Sequence, residues 1–135
     1  MLFFSSWALK IERFKSRAIS KMEMKEKSLF LKVFGDSPKL RVLDFLVVSD
    51  EFDYSMKEIA EKSGVGYSTL RLFWKELVKD KIVIHTRDIG KARLFKLNTE
   101  NPIVKKFDKM YWEITEVITN QLHSEFKKRV IAKIH

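Results

Sequence analysis

The sequence predicts a mainly α chain carrying one small β-hairpin, an α+β fold, on three observations. Apolar residues recur at helical spacing in separate windows beginning at Pro38, Tyr67 and Pro102. After Asp80 the period changes to that of strands in "KIVIHTR" and "ARLFKLN", which flank the turn "DIGK". Between the helical windows stand Gly64 and Gly66, two of only four glycines in 135 residues.

Each element has a local reason. Ser37 and Pro38 read as an N-cap and first helical position, with Leu40, Val42, Leu43, Leu46 and Val47 on one face, giving a helix over 38–48. "EFDY" follows as a short extended bridge. Ser55 and Glu58 form an S-x-x-E capping box that opens a short helix over 56–62 and buries Ile59 and Ala60. The next helix runs over 67–79, with Leu70, Phe73, Trp74, Leu77 and Val78 as its buried stripe. Asn101 and Pro102 begin a final helix of 33 residues, about 50 Å long at 1.5 Å per residue.

That length exceeds what a small core can cover. The returning residues Phe107, Met110, Ile114, Val117, Ile118, Leu122 and Phe126 therefore read as a dimer interface with a second copy. Trp7, Ile11, Phe14, Ile19 and Met22 suggest a further helix in the N-terminal segment, packed on the C-terminal helix or its partner; a disordered basic arm is the alternative.

Composition bounds the function. Hydrophobic residues make up 45% of the chain, enough for a packed core, and there is no cysteine, which removes disulfides and thiolate metal sites. His85, His123 and His135 lie far apart, so no metal site is expected. No apolar run approaches the ~18 residues a membrane helix needs, and "MLFFSSWALK" lacks the basic start of a signal peptide. A cytoplasmic, nucleoid-associated location without membrane contact is the expectation.

The net charge of +9 points to a polyanionic partner, and its distribution is polarised. Residues 1–34 hold eight basic and three acidic residues, a net +5; 35–66 hold four and seven, −3. Residues 67–101 hold eight and four, +4, and 102–135 hold seven and four, +3. The chain turns basic again after the paired glycines.

Those glycines admit two readings. A phosphate-binding loop of the G-x-x-x-x-G-K-[ST] kind follows a strand and ends in lysine; here the glycines follow a short helix and that lysine is missing. Gly64 instead suits the left-handed C-cap of one helix and Gly66 the N-cap of the next, with Val65 plugging the core between them.

"MKEIAEKSGVGYSTLRLFWKELVKDKIV" and "TRDIGKARLFKLN", in that order and spacing, resemble the winged helix-turn-helix transcriptional regulators of small prokaryotic and archaeal type. The resemblance covers roughly residues 37–101 and departs at two points: Gly66 replaces a common N-cap serine, and Asp80-Lys81 stands where a glycine often ends the recognition helix. It implies a winged helix-turn-helix domain at 35–101, with the helix over 67–79 in the major groove of double-stranded DNA and the wing over 82–97 on the backbone or minor groove. The charge and the long final helix add an N-terminal basic helical segment, 1–34, and a C-terminal dimerisation helix, 102–135, and so the expectation of a homodimer.

Helical geometry independently places Tyr67, Ser68, Arg71, Leu72 and Lys75 outward, with Thr69 at the edge. Arg71 suits a bidentate contact to guanine, Leu72 a thymine methyl, Ser68 and Thr69 bases or phosphates, and Tyr67 and Lys75 phosphates. In the wing Arg87, Lys91 and Arg93 bracket the turn, and Lys39 and Arg41 are candidates for added phosphate contacts. Trp74 and Phe73 read as core, Tyr111 and Trp112 as packing, Glu113 and Glu116 as surface charge, and His85 as structural. Lys127–Arg129 suit DNA or a solvated helix end equally.

No nucleophile with a base, convergent carboxylate pair or cofactor fingerprint occurs, so the reading is non-enzymatic with no cofactor. The rivals are a plasmid or viral replication or partition protein, and a winged helix used as a protein–protein module. Operator, direction of regulation and small-molecule effector are not encoded in any recognisable motif.

Overall fold

The computed structural model describes residues 27–134. The N-terminal helix expected around Trp7–Met22 lies outside the described residues. Caps explain most of the boundaries. Ser28 accepts a hydrogen bond from the Leu31 amide at 3.2 Å and opens α1, Leu29–Phe34. Ser37 does the same for Leu40 ahead of α2, Pro38–Val48, with Pro38 in the first turn where its missing N–H costs nothing. Ser55 and Glu58 close the expected capping box at the start of α3, Met56–Ser63.

The turn between α3 and α4, Tyr67–Lys79, is built as its glycines require. Gly64 has φ 70° and ψ 29°, the left-handed cap a β-carbon disfavours, and the Val65 amide reaches back to the Ala60 carbonyl at 2.9 Å. Val65 is buried at the junction, and Gly66 occupies the N-cap without a side chain to cap with.

Strands β2, Val83–Ile89, and β3, Ala92–Leu97, form the hairpin. Its two-residue loop places Gly90 at φ 60° between the paired Ile89 and Ala92. The bridge before α3 contributes more than an extended link: β1, Tyr54–Ser55, pairs antiparallel with β3 and makes a three-stranded sheet in the order β1-β3-β2. The order α2, β1, α3, turn, α4, wing is a winged helix-turn-helix.

The core joins all of these layers. Val42, Leu46 and Val47 of α2, Ile59 and Ala60 of α3, Leu70, Trp74 and Leu77 of α4, and Val83, Phe95 and Leu97 of the sheet are buried together. Removing a large aliphatic side chain of this kind from water stabilises the fold by ~1.5–3 kcal/mol. Trp74 stands edge-on to Phe95 with ring centroids 5.2 Å apart, which ties α4 to the wing.

Two further elements close the core. Phe30 and Leu31 of α1 are buried, Phe30 lying 4.8 Å from the Tyr111 ring and 5.7 Å from that of Phe107. Val104, Tyr111 and Trp112 of α5, Pro102–Ile134, face the same cluster, and the Trp112 indole donates to Asp108 at 3.0 Å. The core therefore runs from Phe30 to Trp112, wider than the residues that carry the helix-turn-helix pattern.

The apolar stripe of α5 is rotated from the one the sequence suggests. Its inward face is Val104, Tyr111 and Trp112, with Phe107 and Ile114 packed partly against the core of their own chain. Ile103, Met110 and Val117 look out to solvent. From Asn120 to Lys133 every residue is exposed, so about 20 Å of helix extends beyond the described body.

Candidate nucleic-acid interface

The surface begins with α4. Leu70, Trp74 and Leu77 point inward, and the 3.6-residue period then turns Tyr67, Ser68, Arg71, Leu72 and Lys75 outward, with Thr69 half-buried beside them. Leu72 is 83% exposed, a high value for a leucine and one with no core role. The Arg71 guanidinium lies 5.9 Å over the Tyr67 ring, which limits how it can extend. Val78 departs from the expected buried stripe. It is 41% exposed, because it sits on the flank of the helix where a groove opens toward the wing.

That groove, about 860 Å³, runs between α4, β3 and the start of α3. Met56, Trp74, Val78 and Phe95 supply apolar walls, while Lys57, Lys75, Lys79 and Arg93 supply the cations, with no acidic side chain among the lining residues. Lys79 and Lys57 were not singled out from the sequence. Lys79 was legible as the i+4 neighbour of Lys75; Lys57 was not, since only the fold brings the start of α3 beside the wing.

The wing cations are not equivalent. Lys91 is exposed in the two-residue loop, and Arg93 lies exposed on β3, its guanidinium 5.7 Å over the Phe95 ring. Arg87 is held by Asp53: its Nε donates to Oδ2 at 2.9 Å and its Nη2 to Oδ1 at 3.2 Å. The donors from Arg87, then that from Thr86, hold the Asp53 carboxyl at about 2, well below the usual carboxylate range. His85, expected to be structural, is exposed and lies 2.6 Å from Asp88 and edge-on to Phe95.

Of the two candidates on α2, Lys39 is exposed but Arg41 is engaged. It donates to Asp36 at 2.9 Å and to the Gly64 carbonyl at 3.2 Å, bracing the turn ahead of α4. Donors from Lys27 and Arg41 hold Asp36 at about 2. The structure thus gathers Tyr67, Ser68, Arg71, Leu72, Lys75, Lys91 and Arg93 on free surface and places Arg41 and Arg87 in internal ion pairs. Among the described residues no three His, Asp or Glu side chains stand together as a metal site, and no helix is long and apolar enough to cross a membrane.

No family model matches the chain, and no curated protein sequence does. Its fold recurs among solved structures. A double mutant of ZitR from Lactococcus lactis, in apo form, aligns with a TM-score of 0.52 at 18% identity, over 77% of this chain and 83% of that one. NadR in complex with 4-hydroxyphenylacetate aligns at 0.51 and 10% identity, over 98% and 86%. The adhesin competence repressor AdcR from Streptococcus pyogenes aligns at 0.51 and 17%, over 70% and 72%. The chain shares a winged-helix fold with these proteins.

Proposed function

We propose that this chain binds double-stranded DNA sequence-specifically as a homodimer and acts as a transcriptional regulator. The observation that carries the reading is the outward face of α4, where Ser68, Arg71, Leu72 and Lys75 stand together with no salt bridge among the described residues. A helix of 13 residues in this setting fits the major groove, with its N-terminal turns at the base edges. Arg71 reads guanine, Leu72 touches a thymine methyl, and Tyr67, Ser68 and Thr69 fix the register on the backbone.

Lys75 and Arg93, joined by Lys57 and Lys79 along the groove, neutralise phosphates on one strand, and Lys91 does so from the wing loop. Lys39 supplies a further phosphate contact at the start of α2. Arg41 and Arg87 are engaged by Asp36 and Asp53 of their own chain instead. That AdcR is by name a repressor agrees with this assignment.

The uncovered side of α5 supports dimerisation. Leu122 and Phe126 lie at the azimuth of Val104 and Tyr111 on a straight helix, so they continue the core-facing stripe past the end of the described core. A second copy related by a two-fold axis covers them together with Ile118, at the neighbouring azimuth; Met110 and Val117 lie on the outer flank. By the same symmetry the target is a palindrome with half-sites about one helical turn apart.

The test is selection from a randomised duplex pool by fluorescence anisotropy at two salt concentrations, followed by sequencing of the bound fraction. A palindromic motif supports the proposal. Salt-sensitive binding with no enriched motif replaces it with a packaging or partition role, and no binding at low salt replaces it with a protein-interaction module.

A further inference from the structure

Asp53 stands one residue before β1, at one edge of the sheet, whereas Thr86 and Arg87 lie on β2 at the other edge. Its carboxylate meets both of these side chains. Oδ2 accepts from Thr86 Oγ1 at 2.7 Å and from Arg87 Nε at 2.9 Å, and Oδ1 accepts from Arg87 Nη2 at 3.2 Å. Two parallel N–H donors on two carboxylate oxygens is the fork in which a guanidinium also grips a phosphate.

The place where this clamp closes is specific. His85 pairs with Phe95 and Arg87 with Leu94, so Thr86 is the unmatched residue of a bulge in β2. A bulge bends and twists its strand and so sets where the far end of a hairpin points. The Thr86 hydroxyl, bonded to Asp53, also lies 3.3 Å from the Leu94 carbonyl on the central strand. Asp53 is thus anchored at the bend itself, and its side chain is 17% exposed while that of Arg87 is 63% exposed.

We propose that Asp53 is the positioning residue of the wing: an internal substitute for a DNA phosphate that withholds Arg87 from the nucleic acid and fixes the angle at which Lys91 and Arg93 meet the backbone. This rests on the DNA-binding reading above. A cation already matched to a carboxylate displaces no counterion on binding, so Arg87 adds nothing to the salt dependence, although it is the most obvious arginine of the wing.

The experiment compares wild type, Asp53→Asn, Arg87→Ala and Arg87→Lys on the selected duplex and on a randomised duplex across a salt series. Arg87→Ala is expected to leave the slope of log K against log salt unchanged and to weaken the selected duplex several-fold. Asp53→Asn frees one cation, so it steepens the slope by about 0.9, tightens the randomised duplex and narrows the specific-to-random ratio. Arg87→Lys does not restore the ratio, because an ammonium cannot fill the fork. A slope about 0.9 shallower in Arg87→Ala, with Asp53→Asn unchanged, makes Arg87 a direct phosphate ligand and overturns the proposal.

Amide exchange in the free protein separates the clamp from the DNA reading. Asp53→Asn and Arg87→Ala are each expected to speed exchange across 83–89 and to leave α3 unaffected. Unchanged exchange across 83–89 overturns the clamp whatever the DNA result. Wild type that binds no duplex overturns the DNA reading and the wing role with it, even where faster exchange shows that the ion pair orders the strand.

Discussion

The Tyr111 hydroxyl donates a hydrogen bond of 2.6 Å to Asp44 Oδ1, joining α5 to α2 across 67 residues of sequence. Ser28, the N-cap of α1, donates to the same oxygen at 2.7 Å, so one carboxylate holds three helices. Burial raises the Asp44 carboxyl above its usual range, and the two donated bonds only partly offset this. Burial, with the Asp44 charge next to it, also pushes the Tyr111 hydroxyl up. The geometry needs the acceptor more than it needs the charge. Asp44→Asn is therefore expected to leave thermal stability at pH 7 unchanged or raised. Asp44→Ala strands the buried Tyr111 hydroxyl and the half-buried Ser28 hydroxyl and costs about 1–3 kcal/mol in urea unfolding. If the asparagine variant loses as much as the alanine one, the charge itself is required.

The same carboxylate works against two others as pH changes. Asp36 and Asp53, lowered from 3.8 to about 2, contribute stability that is present above 3.8 and lost as pH falls toward 2. Asp44, raised, has the opposite sign: its contribution is full below 3.8 and lost as pH rises through its folded value. Melting temperature is thus expected to fall between about pH 4 and pH 2, and the Asp36→Asn/Asp53→Asn double variant to flatten that fall. A double variant with the wild-type slope places the acid sensitivity elsewhere.

How much of this was legible in the sequence follows from how local each cause is. The bounds of α2, α4 and the start of α5 rest on Ser37-Pro38, Gly66 and Asn101-Pro102, signals within three residues of the helix they start. The short extended bridge at "EFDY" was legible, but its place in the sheet was not, because Tyr54 and Ser55 carry no period and join the sheet only through Phe95 and Leu94. Phe30 gave no sign of belonging to the core, since its partners Phe107 and Tyr111 arrive from the far end of the chain. On α4 the outward face was readable from the period, but the flank position of Val78 depended on the wing. The cations of the interface were visible as cations. That Arg41 and Arg87 are engaged was not, because Gly64 lies 23 residues from Arg41, and Asp53 lies 34 from Arg87.

Lys81 closes α4 at φ 56°, the one non-glycine among the described residues in the left-handed region. It stands at the position where the sequence lacks a customary glycine. Asn98 and Asn101 hold it there, donating to its carbonyl at 2.9 and 3.0 Å, and Asn101 also caps α5 through the Ile103 amide at 2.8 Å. Lys81→Gly relieves the strain and is expected to add about 0.5–1 kcal/mol, or a few °C in Tm. Asn101→Ala removes bonds on both sides and is expected to cost about 1–2 kcal/mol. Calorimetry of both variants checks the pair, and a destabilised glycine variant shows that the lysine side chain has its own role.

On DNA the two kinds of cation separate. Arg71, on the outward face of α4, is expected to contribute about 1–3 kcal/mol on the selected site, and Arg71→Ala to relax preference at one base position. Lys91, at the wing loop, is proposed to meet only backbone, so Lys91→Ala is expected to weaken every sequence alike and to reduce the salt slope by about 0.9. Anisotropy on the selected and single-mismatch duplexes distinguishes them. Specific binding untouched by Arg71→Ala means that α4 meets the groove in another orientation.

Phe107 and Phe126 lie on one helix but answer to different partners. The Phe107 ring packs at 5.7 Å against Phe30 of its own chain, whereas Phe126 is 65% exposed, beyond the described core. Exposed leucine and phenylalanine on a helix extending about 20 Å from the body gain little as a monomer, because an isolated stretch of that length is marginal in water. In a dimer they become the seam. Phe107→Ala is expected to cost about 3 kcal/mol at any protein concentration, as a core truncation does. Leu122→Glu with Phe126→Glu should leave the body folded by circular dichroism and move the sedimentation mass from twice 16.1 kDa to 16.1 kDa. Affinity for the palindrome then drops toward that of a single half-site, while affinity for a randomised duplex changes little. A variant that remains a dimer places the interface elsewhere, on the outer stripe through Ile103, Met110 and Val117, which is exposed on the opposite flank of the same helix.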